Sequence, residues 1–289
     1  MSCKMWIGCI GVGMLSLSVT GCGGEKGDGT TITATGSDTM VNVAQAWAEE
    51  YAKRNPKIKV DVNGGGSGRG ISSLINGTCD MANASRKMED KERATCKEKR
   101  GEEPVEHVVG YDALAVYVHK DNPLDSISIE QLAEIYGDGG ASENWSQVSD
   151  AAASLGKIVR VSRQNNSGTY VYFREAVLGK ERDYKLGSVD QSGSKDVVAL
   201  VARTPAAIGY SGMGYATDEV KMLKISKAKG EPAVAPTVDN AKSGAYPITR
   251  PLHIYTVGEP TGAAKEYIEW ILSEAGQKVV TDLGYVPVQ

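Results

Sequence analysis

Residues 30–70 read TTITATGSDTMVNVAQAWAEEYAKRNPKIKVDVNGGGSGRG, and two kinds of periodicity alternate along them. Thr30 to Thr35 alternates as a short strand. Gly36-Ser37-Asp38-Thr39 then leads into a segment whose Met40, Val43, Trp47 and Tyr51 share one helical face, so a strand runs into a helix through a polar turn. Asn55-Pro56 ends that helix, because the residue before a proline is pushed out of the α region. In the following strand Ile58, Val60 and Val62 alternate with Lys57, Lys59 and Asp61. The glycine-rich run Gly64 to Gly70 opens a second short helix carrying Ile71, Leu74 and Ile75, and Asp80 to Ala84 reads as a buried strand. Repetition of strand, polar turn and helix predicts an α/β architecture with a largely parallel sheet, in which ligands sit beyond the carboxyl ends of the strands.

Outward from this unit, Met88 to Glu103 is charge-dense and reads as a solvated helix and loop. His107 to His119 is a long apolar strand, and Tyr246 to Val257 is another. Two such strands, far apart in sequence, can cross between two lobes. The first lobe is then discontinuous, built from residues 30–118 and 246–289, and residues 119–245 form the second. A final helix over Ala263 to Leu283, with Tyr267, Ile268, Ile271, Leu272, Val279 and Val280 at helical spacing, is expected to pack back on the first lobe. A single phenylalanine, Phe173, and modest aromatic content suggest an aliphatic core.

The opening segment has one charge, Lys4, then an apolar, glycine-rich run from Met5 to Val19, and ends at Val19-Thr20-Gly21-Cys22. That run is too short to span a bilayer, and small residues precede the cysteine as a signal peptidase requires. Residues 1–21 are therefore expected to be a lipoprotein signal peptide, Cys22 the lipidated N-terminus carrying acyl chains such as palmitate, and residues 22–29 a flexible tether, with an ordinary cleaved secretory peptide as the alternative. Localisation would then be the periplasm or the cell surface. Of five cysteines only Cys79 and Cys96 remain in the folded part. A disulfide between them would contribute about 3 kcal/mol in the chain-entropy model, and two buried thiols are the alternative. The chain carries 32 basic and 36 acidic residues, so no general basic coat exists and nucleic acid is excluded as a partner. Any anion must be held by local donors.

Three polar turns each precede a helical segment: Gly36-Ser37-Asp38-Thr39, Gly66-Ser67-Gly68, and Asn165-Asn166-Ser167-Gly168-Thr169. A helix N-terminus presents aligned N–H groups worth about half a positive charge, so three of them converging would bind a tetrahedral anion even in an acidic protein. Taken singly, each turn could be an ordinary N-cap. Arg163 lies just ahead of the third turn, and Arg86 follows Ser85 at the end of the strand Asp80 to Ala84. A guanidinium matches two oxygens of a phosphate with a planar fork, whereas a salt bridge to a carboxylate is the competing use. A secreted serine hydrolase is disfavoured. His107, His119 and His253 lie in or beside strands read as remote from the serine turns, no G-x-S-x-G elbow occurs, and no two histidines have metal-ligand spacing. The glycine run also fits neither the P-loop nor the dinucleotide pattern.

Thr35 to Tyr51, Gly64 to Gly68, Ala84-Ser85-Arg86, Arg163 with Ser167-Gly168-Thr169, and Tyr246 to Tyr255 together resemble the phosphate-binding proteins of phosphate ABC transporters. The resemblance implies the two-lobed type II periplasmic binding protein fold with two crossing hinge strands, no enzyme activity and no cofactor. Its implied partners are inorganic phosphate and the permease subunits of an importer, with the protein acting as a monomer. It also implies Ser37, Thr39, Ser67, Ser85, Arg163, Ser167, Gly168 and Thr169 as phosphate contacts. Where the best-known branch of the family has a carboxylate after the serine of the turn at Ser85, this chain has Arg86. Asp38 is then the expected acceptor of the phosphate proton, or else a partner of Arg86. Sulfate or molybdate would be the ligand of the same architecture with different acceptors.

Overall fold

The computed structural model describes Met1 and residues 29–179 and 181–288. Cys22 and nearly all of the expected signal peptide and tether therefore fall outside the described residues. β1 (Thr30–Gly36), β2 (Ile58–Asn63) and β3 (Met81–Ala84) are connected by α1 (Val41–Arg54) and α2 (Ser67–Ile75). Then come α3 (Asp90–Arg100), β4 (Pro104–His119), β5 (Ser126–Ser128), α4 (Ile129–Tyr136), β6 (Val159–Arg163) and α5 (Gly168–Phe173). They are followed by β7 (Val189–Gln191), α6 (Ser194–Ala202), β8 (Ala207–Gly212), β9 (Val220–Met222), β10 (Lys224–Ser226) and α7 (Val238–Lys242). β11 (Thr249–Val257), α8 (Gly262–Leu272) and α9 (Glu274–Asp282) close the order. Among the described residues, no helix is long and apolar enough to cross a membrane.

The strands lie in the order β2-β1-β3-β11-β4-β8-β6-β7, with β9 also on β4. β1 is parallel to β2 and β3, and β6 is parallel to β7 and β8, while β4 and β11 pair antiparallel to their neighbours. The expected parallel sheet thus exists at both ends and is joined through an antiparallel centre. β4 makes the join. Its Pro104–Ala113 half pairs with β11 and its Leu114–Val118 part pairs with β8, so one continuous strand serves both lobes of the α/β fold.

The second crossing is shorter than the sequence suggested. β11 begins at Thr249, not Tyr246, because Pro247 has no N–H to give a ladder. Tyr246 and Ile248 instead hold the chain to β4, with the Tyr246 hydroxyl donating to the Leu114 carbonyl at 2.9 Å and Leu114 N–H donating to the Ile248 carbonyl at 2.9 Å. The C-terminal helix is likewise two helices. Ser273 leaves the helical region (φ −71°, ψ 165°) and caps α9, and Gly276 lies so close that a Cβ there would stand 2.3 Å from the Ile271 carbonyl oxygen.

The core is also more aromatic than expected. Trp47, Trp145, Phe173 and six tyrosines are among its largest fully buried side chains. Each buried hydroxyl must find a partner, and several tyrosines use main-chain carbonyls: Tyr117 donates to Gly212, Tyr136 to Ile208, and Tyr285 to Thr39, while Tyr210 meets the Ser162 hydroxyl and Tyr255 donates to Glu106. Cys79 and Cys96 are free, buried thiols in one apolar cluster with Ile71, Leu74, Met88 and Tyr255. Burial pushes the Cys79 thiol up to about 11.

α2 packs against β1 at Gly70, where a Cβ would stand 2.4 Å from the Thr35 carbonyl oxygen and 2.6 Å from Gly36 Cα. Both neighbours are backbone and cannot swing aside. Gly70→Ala is therefore expected to lower stability by about 1–3 kcal/mol, as an overpacked contact does. Urea unfolding at an unchanged m-value would show it, and a variant as stable as the parent would mean that α2 can lift off β1.

Candidate functional site

Three strand ends deliver three serine hydroxyls to one point. Ser37 follows β1, Ser67 opens α2 after β2, and Ser85 follows β3. The Ser37 hydroxyl donates to Ser85 Oγ at 2.9 Å, Ser67 Oγ is 3.3 Å from Ser85 Oγ, and the Ser85 N–H donates to Ser67 Oγ at 3.0 Å. Gly36 makes the approach possible. Its φ of +146° is open to glycine, and a Cβ there would stand 2.1 Å from the Asn83 carbonyl oxygen on β3.

The third turn comes from the other side of the sheet, between β6 and α5. Thr169 Oγ1 lies 2.8 Å from Thr39 Oγ1, the Gly68 N–H donates to the Asn166 carbonyl at 3.0 Å, and Asn166 Nδ2 donates to the Gly65 carbonyl at 3.1 Å. At Gly168 a Cβ would stand 2.4 Å from Ser67 Oγ and 2.7 Å from Ser85 Oγ, so only hydrogen fits where the turns meet. Ser37, Thr39, Ser67, Ser85, Ser167 and Thr169 are all at most 2% exposed. Capping accounts for one of them: Ser167 Oγ accepts from the Thr169 N–H at 3.1 Å at the start of α5. The N-cap positions of α1 and α2, Met40 and Gly66, make no side-chain cap, which leaves the hydroxyls of Ser37, Thr39 and Ser67 to the cleft.

Arg163 is fully buried. Its Nη2 donates to Asp38 Oδ2 at 3.1 Å and to the Ser192 carbonyl at 2.8 Å, and its Nη1 donates to Ser194 Oγ at 3.1 Å. Burial lowers its pKa and the nearby Asp38 carboxylate opposes this. Asp38 is engaged at its other oxygen as well, with Oδ1 accepting from the Gly65 N–H at 2.8 Å. Its ion-pair partner is therefore Arg163 and not Arg86. Arg86 makes a two-pronged pair with Glu92 at 2.8 and 2.7 Å and does not hydrogen-bond the converging hydroxyls; its Nη2 comes within 3.8 Å of where a Gly68 Cβ would stand. It sits at the edge of the cluster.

Two residues that sequence reasoning missed stand at its centre. Arg250, next to the start of β11, donates through Nη2 to Thr39 Oγ1 (3.1 Å), Thr169 Oγ1 (3.0 Å) and Asp112 Oδ2 (2.8 Å), and through Nη1 to the Ser85 carbonyl (3.1 Å). Asp112 on β4 is 0% exposed. Burial raises its pKa and Arg250 opposes the rise. Its Oδ1 has no hydrogen-bond partner among the described residues. A lone aspartate inside the apolar run from Val108 to Val118 was the available signal, since such a charge is buried only with a partner. His253 also departs from expectation. It pairs with Ala84 across β11 and β3, next to Ser85 and not remote from it, although its Nδ1 faces Glu106 Oε1 at 3.0 Å. Among the described residues no serine hydroxyl is hydrogen-bonded to a histidine, and no group of side chains could hold a metal ion.

Converging hydroxyls and guanidinium groups can hold an oxyanion from many directions, and among the described residues none of the serine hydroxyls is in register with a histidine base. Fold and site thus define a two-lobed solute-binding protein. Residues 23–275 match the PBP superfamily domain, and the chain belongs to that family, as a binding protein and not an enzyme. It is 33% identical over 277 residues to the phosphate-binding protein PstS of Pseudomonas aeruginosa, covering 91% of this chain and 85% of the relative. PstS of Bacillus subtilis is 34% identical over 268 residues, covering 92% of this chain and 83% of the relative. A phosphate ABC transporter substrate-binding protein of Clostridium perfringens, solved with bound phosphate, superposes with a TM-score of 0.78 at 28% identity, over 90% of this chain and all of that one.

Removing Arg250 would leave Asp112 buried without its cation. Arg250→Met is expected to cost about 3–5 kcal/mol near pH 8, the usual penalty for breaking a buried pair from one side. The unpaired carboxyl would then have a folded pKa above its unfolded one and bind its proton more tightly when folded, so the deficit should shrink toward about pH 5. Urea titrations at the two pH values test this, and a deficit that does not vary with pH would mean Asp112 is already protonated beside Arg250.

Proposed function

We propose that this protein captures inorganic phosphate between its lobes and delivers it to the permease subunits of an ABC importer. The observation that carries the reading is the meeting of buried hydroxyls from both lobes, Ser37, Thr39, Ser67 and Ser85 with Thr169, around the guanidinium of Arg250. The names of the Pseudomonas and Bacillus relatives, and the phosphate in the Clostridium structure, support the same ligand. Proposed contacts are Ser37, Asp38, Thr39, Ser67, Ser85, Arg163, Ser167, Gly168 and Thr169, with Arg250 added and Arg86 at the rim.

Closure is assigned to bending where β4 and the Tyr246–Ile248 crossing pass between residues 30–118 with 246–289 and residues 119–245. In this reading the protein is exported, works as a monomer and is anchored outside the cytoplasm by lipid on Cys22. The Gly-Cys sequence after a short apolar run supports the anchor.

A ligand that binds only the folded state raises apparent stability by RT ln(1 + [L]/Kd). Phosphate and arsenate are expected to raise the unfolding temperature, and sulfate to leave it unchanged. A response to sulfate or molybdate alone would replace phosphate with another oxyanion. Selectivity is assigned to Asp38 as acceptor of the ligand O–H, since a buried acceptor facing sulfate, which has no proton to offer, is penalised by about 1–3 kcal/mol. Asp38→Asn is thus expected to narrow the gap between phosphate and sulfate in calorimetry. Unaltered discrimination would take the role from Asp38 and leave it to Asp112.

A further inference from the structure

Ser85 is the serine on which the others meet: it accepts from Ser37 Oγ, lies 3.3 Å from Ser67 Oγ, donates its N–H to Ser67 Oγ, and gives its carbonyl to Arg250. What holds the turn after it is therefore a question about the site. The Met88 N–H donates to the Tyr255 hydroxyl at 3.0 Å, which fixes the far end of the turn. In the middle stands Arg86, whose guanidinium closes back on the Lys87 carbonyl at 2.9 Å and is gripped at both Nη atoms by Glu92 on α3. The pair is well shielded, with side-chain exposures of 10% for Arg86 and 21% for Glu92. Glu92 is itself fixed, because its Oε2 also accepts the Glu89 N–H at 2.8 Å at the first turn of α3.

We propose that Glu92 is a positioning residue for the anion site, acting through Arg86 on the turn that carries Ser85. Glu92 does not touch the cleft; it makes the first turn of α3 a fixed buttress against which Arg86 holds the Ser85–Met88 backbone. Shielded from water, the two parallel hydrogen bonds specify orientation as well as distance, which a single contact would not do. The charge-dense helix α3, solvated along most of its length, thereby has one residue tied to the binding chemistry. The inference rests on the phosphate reading given above.

Glu92→Gln separates the two duties of the side chain. An amide oxygen can still accept the Glu89 N–H, as glutamine does at this position of a capping box, but the charged fork to Arg86 is lost. Calorimetry with inorganic phosphate is expected to show a Kd raised by about ten-fold, the effect of losing a charge-assisted hydrogen bond. Stopped-flow mixing should place that change in the dissociation rate, and the ligand-free unfolding temperature should move little. The exchanged pair Arg86→Glu with Glu92→Arg should recover part of the affinity that either single change loses. Phosphate affinity unaltered in Glu92→Gln would overturn the proposal. So would a loss of affinity matched by a comparable fall in ligand-free stability with no recovery in the exchanged pair. Failure of the unsubstituted protein to bind phosphate would instead overturn the functional reading on which the proposal stands.

Discussion

Arg250 and Asp112 are pressed together inside the protein, the guanidinium Nη2 standing 2.8 Å from Asp112 Oδ2. Two opposite charges, 1% and 0% exposed, are taken out of water and can stay there only because each satisfies the other and the guanidinium has further acceptors within reach. Those acceptors are Thr39, Thr169 and the Ser85 carbonyl, which lie on three different turns. The need to satisfy one buried cation therefore draws together the segments that build the cleft. Asp112 stands on β4 one residue before Ala113, where the pairing of that strand passes from β11 toward β8, so the same contact sits at the joint between the lobes.

A pattern of neutralisation runs through the site. Arg163 is paired with Asp38, Arg250 with Asp112, and Arg86 with Glu92. An anion entering such a cleft would meet guanidinium charges already offset by carboxylates, and the attraction would come largely from the dipoles of the gathered hydroxyls. This suits a chain whose acidic residues outnumber its basic ones, 36 to 32. Preset dipoles need little rearrangement when the ligand arrives, and they do not bind every anion alike as an uncompensated positive patch would.

The sequence made the architecture legible where periodicity is strong: β1, α1, β2, α2 and β3 fall close to the positions that alternation and helical spacing indicate. The polar turns were legible for the same reason, because hydroxyl residues and glycines between a strand end and a helix start have few purposes. What stayed hidden depends on tertiary neighbours. Arg250 follows a proline-containing crossing and looks like an ordinary exposed base until Thr39 and Thr169 are seen against it. The break at Ser273 could not be read from a pattern that stays amphipathic through Leu283. Arg86 offered two uses, and only the position of Glu92, one turn into α3, decides between them. The buried aromatics within a mostly aliphatic core were missed because composition counts tyrosines without saying that their hydroxyls find partners inside.

Tyr285 links the two ends of the folded chain. Its hydroxyl, together with that of Tyr215, reaches the Thr39 carbonyl, and the separation between Tyr285 and Thr39 is 246 residues. The loop bearing Thr39 emerges early during synthesis, but it lacks one of its main-chain anchors until the tail arrives. A nascent chain can thus form β1, β2 and β3 while the turn that bears Thr39 still waits for a hydroxyl from the last residues to be made.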